Sequence, residues 1–225
     1  MNQTTELSPW GRTTRSQARD NKRDAVLHAA ARLFNERGYH GTSLELLAEK
    51  LGITRPTVYY YFKNKDEILF DCVRIALEMI DQAAHGVMAR GGSAAEQLVA
   101  VMHRYAEVMM MDFGMCLVRV GDGPLQPDSR AKLRKLQANI DHKLRELIAQ
   151  GIQQKAFEPR DPKLGAFAVA GALNSIGRWY QLDGELSPQE IADNFVATLI
   201  GGLELRPPSK HLATSPPVGD QRPSG

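Results

Sequence analysis

The chain has 225 residues, 43% of them hydrophobic, which is enough to fill the core of one large domain or of a small module joined to a mid-sized one. No apolar run approaches the roughly 18 residues that cross a bilayer. The polar N-terminus also lacks a signal-peptide core. We therefore expect a cytoplasmic protein with no membrane partner. Two cysteines, Cys72 and Cys116, are too few for a disulfide framework and are expected to be buried as small apolar residues.

The net charge of +2 hides an uneven distribution. Residues 1–70 carry 11 basic and 8 acidic side chains, so the positive charge lies at the front of the chain. A basic front end is typical of a protein that binds nucleic acid. Ordinary surface scatter also produces a bias of this size, so the charge alone does not decide between the two.

The two ends of the chain differ in composition from the rest. Residues 1–19 are polar and basic, and residues 206–225 are rich in proline, so we expect both to be disordered. Between them, strand-type alternation is scarce and helix start signals recur, which predicts an all-α fold. The expected units are a basic arm (1–19), a three-helix head (20–66), a helical body (67–205) and a tail (206–225).

Helix start signals support this division. A capping residue followed three positions later by Glu is typical of a helix N-terminus, and this spacing occurs at Thr42, Asn64, Ser93 and Ser187. Apolar periodicity then predicts five long body helices, with a short helix and a loop in the less regular stretch 112–126.

The most specific pattern lies in the head. An apolar stripe predicts a first helix that ends at Gly38, and Thr42 is expected to cap a second, short helix. Gly52 stands between two apolar anchors, which predicts a tight turn. Thr54 is then expected to cap a third helix. Two short helices joined by a glycine turn are the pattern of a helix-turn-helix.

The third predicted helix has an unusual exterior. Val58 and Phe62 lie four residues apart and form its inner side, which leaves arginine, threonine and tyrosine outside. Such groups donate to phosphates and base edges, and tyrosine rings contact sugars and thymine methyls. The alternative is that the tyrosines pack in the core, and for Tyr61 the two interpretations are evenly balanced. The exterior set is Arg55, Thr57, Tyr59, Tyr60 and Tyr61.

Three segments of the head together resemble the TetR family of bacterial regulators. They are Gly38-Tyr39-His40-Gly41-Thr42-Ser43, Leu51-Gly52-Ile53-Thr54 and the run from Thr57 to Lys65. Residues 177–188 are also similar to C-terminal domains common in that family. The resemblance implies an all-helical homodimer that pairs through its last two long helices. It further implies a palindromic operator in double-stranded DNA, from which a small-molecule effector in the body releases the protein.

The resemblance also implies individual DNA contacts. Thr42 and Ser43 would touch phosphates, and Tyr60 and Lys65 would grip the backbone. Pro56 departs from the glycine or alanine common at this place, so its contact would be apolar. The basic arm, with Arg12, Arg15 and Arg19, either enters the minor groove or stays idle. The predicted DNA-binding set is Thr42, Ser43, Thr54, Arg55, Pro56, Thr57, Tyr59, Tyr60 and Lys65.

The body is expected to bind a largely apolar ligand with one anionic or polar end, such as an acyl-CoA, a fatty acid or another apolar acid. Methionines cluster around the irregular stretch, where they either adapt to a ligand or simply pack the core. Arg119 lies inside an apolar run, so it either reaches water or meets a buried anion. The predicted ligand-binding residues are Met102, Met109, Phe113, Cys116, Arg119, Asn174 and Arg178.

Enzyme classes are not favoured, because the sequence has no phosphate-binding glycine loop, nucleophile elbow or metal-type histidine pair. We expect no metal and no cofactor. The alternative to a DNA-binding regulator, most simply a repressor, is a helical protein that binds small molecules without specific DNA binding.

Overall fold

The computed structural model describes residues 15–158 and 160–204, and within these ranges it is built of helices, as predicted. One isolated antiparallel bridge joins Phe157 to Glu204. The helices of the described residues are α1 (Arg15–Arg37), α2 (Leu44–Leu51), α3 (Arg55–Tyr61), α4 (Lys65–Arg90), α5 (Ala94–Met109), α6 (Asp112–Arg119), α7 (Pro127–Gln153), α8 (Pro162–Trp179) and α9 (Pro188–Leu203).

Three of the four predicted helix caps are confirmed. Asn64, Ser93 and Ser187 each accept a hydrogen bond from the backbone N–H of the glutamate three residues later. The fourth prediction is wrong, because Ser43 rather than Thr42 caps α2 and accepts from the Leu46 N–H. The reason is burial: Thr42 is turned into the core, which leaves its neighbour at the helix end.

The predicted disorder of residues 1–19 is wrong for its last part, since α1 already begins at Arg15. Arginine, glutamine and alanine have high helix propensity. Extending an existing helix is also much cheaper than starting one, so residues 15–19 continue the helix without an apolar pattern of their own. Arg12 and the predicted tail at 206–225 lie outside the described residues.

The long helix α4 connects the head to the body. Its first half packs on α1, and its length runs beside α5, α6 and α7, with α8 and α9 outermost. The buried side chains form one continuous hydrophobic core that runs from Val26 in α1 to Val196 in α9. A displacement in the body can therefore reach the head without crossing a flexible linker.

Three glycines set the positions of elements in this arrangement. Gly38 (φ 71°) and Gly52 (φ 63°) adopt the left-handed conformation that turns the chain between the head helices. Gly114 in α6 has another role: a Cβ at this position would overlap the carbonyl oxygen of Val108, so its hydrogen is what lets α6 lie against the end of α5. Within the described ranges, no helix combines the length and apolar character needed to span a bilayer.

Candidate nucleic-acid interface and ligand cavity

The recognition surface of the head is built by packing α3 against α2. Leu44 and Leu47 bury the inner side of α2, and Gly52 caps that helix and turns the chain. On α3, Val58 and Phe62 are almost fully buried, as predicted from their spacing. The opposite side of α3 must therefore point outward.

That outer side carries aromatic and basic groups. Tyr59 is 43% exposed and Tyr60 66% exposed, and Pro56 is exposed beside them. Large aromatic rings on a seven-residue helix lose favourable burial when they face water, so their exposure indicates a surface that a partner covers.

Arg55 is held in place on this surface. Its guanidinium donates to the Tyr59 hydroxyl at 3.1 Å and forms an ion pair with Glu45 of α2 at 2.8 Å. The hydrogen bond to Tyr59, followed by the charge of Glu45, keeps the pKa of Arg55 above its ordinary value. Arg55 therefore stays charged and joins the two helices that form the surface.

The start of α3 differs in one detail from the prediction. Thr54 occupies the N-cap position, yet its side chain makes no capping hydrogen bond. Its hydroxyl instead lies 2.9 Å from the hydroxyl of Thr57, one turn along. The two hydroxyls form an exposed polar pair at the N-terminus of α3, next to Arg55.

Thr42 and Lys65, both predicted to contact DNA, are committed to interactions within the protein. The Thr42 hydroxyl is buried and lies 2.9 Å from the Gly38 carbonyl oxygen, to which it donates. The Lys65 ammonium donates to the carbonyls of Tyr39 (2.7 Å) and Thr42 (2.8 Å), and burial lowers its pKa. These bonds tie the loop before α2 to the start of α4, which leaves the exposed Ser43 at the surface.

The two tyrosines at the end of α3 differ in exposure. Tyr60 is exposed and lies under the guanidinium of Arg19, 5.6 Å from the ring centre. Tyr61 is half-buried and meets Tyr60 edge to face, with ring centres 5.0 Å apart. Burial raises the pKa of Tyr61, and the neighbouring Tyr60 raises it further.

A cavity of about 540 Å³ lies in the body between α4, α5, α6, α7 and α8. Apolar side chains such as Leu77 and Leu144 line its inner part. Asn174 and Arg178, two predicted ligand-binding residues, line it from α8. The Tyr105 hydroxyl donates to Asn174 Oδ1 at 3.1 Å, and burial raises the pKa of Tyr105 to about 12.

Sequence reasoning missed a second basic residue of this cavity, which joins the predicted Arg178. Arg145 of α7 lines it, forms an ion pair with Asp141 and stacks over the ring of Phe167 at 5.3 Å. The Nε atom of Arg145 is buried and has no hydrogen-bond partner among the described residues. The sequence feature that could have identified Arg145 is its spacing from Asp141. The two residues lie one turn apart on α7, and each directly follows a buried core residue.

Two family models match this chain. Residues 26–72 match the model described as bacterial regulatory proteins, tetR family. Residues 91–203, half of the chain, match the model described as tetracyclin repressor-like, C-terminal domain. This chain belongs to the TetR family.

Similar proteins include characterised regulators. The HTH-type transcriptional repressor KstR2 of Mycolicibacterium smegmatis is 23% identical over 201 residues, which cover 85% of this chain and 95% of that protein. The structure of the TetR family regulator PfmR from Thermus thermophilus is 30% identical, with a TM-score of 0.73 and coverage of 80% and 99%. The structure of AibR in complex with isovaleryl coenzyme A and operator DNA is 26% identical, with a TM-score of 0.72 and coverage of 80% and 98%.

Membership of the TetR family makes this chain a DNA-binding transcriptional regulator, in a family of regulators rather than enzymes. In the part of the chain that the structure describes, no group of three or more metal-binding side chains comes together. Both cysteines are buried, as predicted; burial raises the pKa of the Cys72 thiol, which donates to the Leu27 carbonyl at 3.6 Å.

The structure changes the assignment of Arg119 in this TetR-family body. Its guanidinium donates to the carbonyl oxygens of Gly177 and Tyr180, each at 2.8 Å. The residue is exposed, so it reaches water, and it does not line the cavity. The last carbonyls of a helix have no partner within the helix, and a basic side chain stabilises them. Arg119 thus fastens the end of α6 to the end of α8.

The remaining predicted ligand-binding residues do not line the cavity either. They belong to the hydrophobic core, and the ring of Phe113 lies tilted against that of His28 of α1, with ring centres 4.5 Å apart. Their apolar character fits core packing and ligand binding equally well, so composition could not separate the two. These residues are Met102, Met109, Phe113 and Cys116.

Proposed function

We propose that this TetR-family chain is a cytoplasmic repressor that binds a palindromic operator as a homodimer and releases it when an apolar small molecule occupies the body. The observation that carries the proposal is the outer face of α3, where Arg55, Tyr59 and Tyr60 stand exposed on a helix fixed from behind by buried side chains. A rigid helix with this composition has the size and chemistry to enter the major groove.

The direct DNA contacts in this proposal come from the exposed groups. Arg55 and Thr57 would donate to base edges or phosphates, and Tyr59 and Tyr60 would contact sugars and thymine methyls. Ser43 would donate to a phosphate at the start of α2. Thr42 and Lys65 would act through the loop that they hold, because their side chains are already engaged.

The outer surfaces of α8 and α9 support the homodimer. Leu164 is 64% exposed, and Phe167 and Trp179 are about half exposed on the same helix. Exposed Ala168 and Gly171 between them allow a second helix to approach closely. A two-fold dimer would present its two α3 helices to half-sites spaced by one DNA turn, roughly 34–36 Å, or by a multiple of it.

The cavity supports a ligand with an apolar part and one oxygen-bearing polar part. Its inner wall is apolar, while the side chains of Asn174, Arg178 and Arg145 supply polar groups. About a third of the Arg145 side chain is accessible, so its guanidinium can donate to a ligand oxygen. AibR, whose structure contains isovaleryl coenzyme A, is a relative that binds a molecule of this kind.

Helix α6 supplies the connection between the cavity and the head. At one end, Leu117 and Val118 line the cavity. At the other end, Asp112 accepts from Arg32 (2.8 Å), and its carbonyl accepts from the Asn35 side chain (2.9 Å), both on α1. A ligand that displaces α6 would therefore move α1 and reorient α3.

Fluorescence anisotropy tests the DNA-binding part of the proposal. The full-length protein is titrated into labelled fragments of the DNA upstream of its own coding region, at several salt concentrations. We expect sequence-dependent binding that weakens as salt rises, since phosphate contacts release counterions. Arg55→Ala should weaken binding roughly tenfold or more, whereas Arg90→Ala, at the far end of α4, should leave it unchanged.

Equal binding by the two arginine variants, or binding that is weak and independent of sequence, would contradict the proposal. Either outcome would favour the alternative, a helical protein that binds small molecules without specific DNA binding. Circular dichroism of both variants checks that the fold is retained.

A further inference from the structure

Helix α7 also forms part of a surface groove that has no role in the proposed function. Next to the cavity, at the N-terminal end of the same helix, lies a groove of about 410 Å³ lined by Pro127, Arg130, Ala131 and Arg134. Both of its charged residues are arginines. The groove lies on the protein surface, where Arg134 has a side chain that is 71% exposed.

The groove and the cavity lie along one face of α7. Arg130 and Arg134 are followed at helical spacing by Gln137, Asp141 and Arg145, which line the cavity. Residues three or four positions apart share a helix face. Gln137 and its neighbour Ala138 are exposed, so the cavity opens to the surface on the side towards the groove.

The two arginines are available to an anion. The contact between Arg134 and Asp122 is 4.0 Å long, and a pair this exposed contributes little. No ion pair is formed by Arg130 within residues 15–158 and 160–204. Arg130 ends the first turn of α7, where the helix dipole also favours negative charge, and Arg134 follows one turn later.

The distance between the arginine groove and the cavity determines which kind of ligand can occupy both. Arg134 and Arg145 are eleven residues apart on α7, which corresponds to about 16 Å along a helix. The extended pantetheine arm of coenzyme A spans a comparable distance between its thioester and its diphosphate. A cavity of about 540 Å³ accommodates an acyl chain and part of that arm, but is too small for the nucleotide as well.

We propose that the effector is a coenzyme A thioester whose acyl end fills the cavity and whose phosphates lie on Arg130 and Arg134. This inference rests on the proposed function and adds the ligand class and a second binding place. The thioester oxygen accepts from the accessible part of the Arg145 guanidinium. The pantetheine arm passes Gln137 and Ala138, and the phosphates meet guanidinium groups that suit their geometry.

Calorimetry on the full-length protein tests the inference. Straight-chain acyl-CoA thioesters from butyryl to palmitoyl are titrated, each beside the matching acyl-pantetheine, which lacks the phosphates. For the best chain length we expect the acyl-CoA to bind at least tenfold more tightly. The variant Arg130→Gln/Arg134→Gln should lose most of this advantage and keep its affinity for acyl-pantetheine.

A matched control is available on the same helix. Lys132 and Lys135 are exposed on the other side of α7, so Lys132→Gln/Lys135→Gln removes the same charge and should leave both affinities unchanged. Equal affinity for acyl-CoA and acyl-pantetheine, or an equal loss in the two double variants, would overturn the inference.

Anisotropy with operator DNA separates failure of this inference from failure of the proposed function. If no thioester binds while the protein still binds its operator, the ligand class is wrong and the repressor remains. If Arg130→Gln/Arg134→Gln weakens operator binding without ligand and leaves acyl-CoA affinity unchanged, the arginines contact DNA and the inference is again overturned.

Discussion

The head and the body of this protein place their functional groups in opposite ways. In the head, about fifty consecutive residues form a small unit, and the groups that meet DNA stand outward on α3, as Tyr60 does. In the body, the cavity takes residues from five helices between Leu77 and Arg178. A surface made by one short segment can be read from local spacing, whereas a cavity made by distant segments depends on how the helices pack.

The same contrast applies to the basic residues. Arg55 of the head lies at the surface, where it pairs with Glu45. In the body, Arg119 fastens the C-terminus of α8, whereas Arg145 and Arg178 line the cavity. In the head, an exposed position therefore identifies the functional arginine. In the body, only the packing of the helices shows which basic residues line the cavity.

The largest effect is expected from a substitution that breaks the packing of the body. Gly114→Ala would push a methyl group into the carbonyl of Val108, so α6 could not keep its place against α5. We expect a loss of about 3 kcal/mol in the free energy of unfolding, measured by urea denaturation. Gly86→Ala in α4, where an added Cβ meets nothing within 4 Å, is the control and should cost nothing.

Unfolding that is equally unaffected in both variants would show that α6 does not depend on this close approach. The body helices would then constrain one another less tightly than the contact of Gly114 with Val108 requires.

The next largest effect is a loss of stability at high pH, caused by ionisation of Tyr105 in the cavity wall. The pKa of Tyr105 is about 12 in the folded protein, against about 10 when unfolded. The folded state holds this proton more tightly, so the stabilisation is complete below pH 10 and is lost as the pH rises towards 12. This difference in the pKa of Tyr105 between the folded and unfolded states corresponds to about 2–3 kcal/mol in the free energy of unfolding.

Thermal unfolding between pH 9 and 12 checks this prediction. Tyr105→Phe should remove part of the decline in stability that the parent protein shows in this range. Parallel declines in the two proteins would mean that Tyr105 is not buried in the way described.

A smaller effect separates the two roles considered for Arg119. Arg119→Gln removes charge-assisted bonds to Gly177 and Tyr180 and should cost about 1–2 kcal/mol, discounted because the residue is partly exposed. Affinity for the effector should change less than twofold, since Arg119 does not line the cavity. A large loss of affinity with unchanged stability would restore Arg119 as a ligand-binding residue.

The smallest effects concern the start of α2. Thr42→Val removes a buried hydroxyl that donates to Gly38, and Ser43→Ala removes a helix cap. Each should cost about 1 kcal/mol. Operator affinity at low temperature should fall for Ser43→Ala and stay nearly constant for Thr42→Val; the reverse order would return the phosphate contact to Thr42.

Much of the fold could be predicted from the sequence, because helix signals are local. The caps at Asn64, Ser93 and Ser187 and the turn at Gly52 depend on residues within one turn. Thr42 was misassigned because two adjacent residues can both cap a helix, and burial decides between them.

The site in the body was harder to predict. The sequence of a methionine such as Met109 is the same whether the side chain packs in the core, as it does here, or against a ligand. Arg145 was missed because its place in the cavity wall depends on Phe167, which lies beside it only after α7 and α8 pack.

The central claim, that occupation of the cavity in the body releases the head from DNA, is tested most directly by ligand titration into a preformed operator complex. Fluorescence anisotropy is followed as an acyl-CoA is added to the parent protein and to Arg145→Gln, which should bind the operator equally well. We predict that the parent releases the DNA at saturation, and that Arg145→Gln needs at least tenfold more ligand. Equal release of both proteins, or a complex that stays intact when calorimetry shows the ligand bound, would contradict the account.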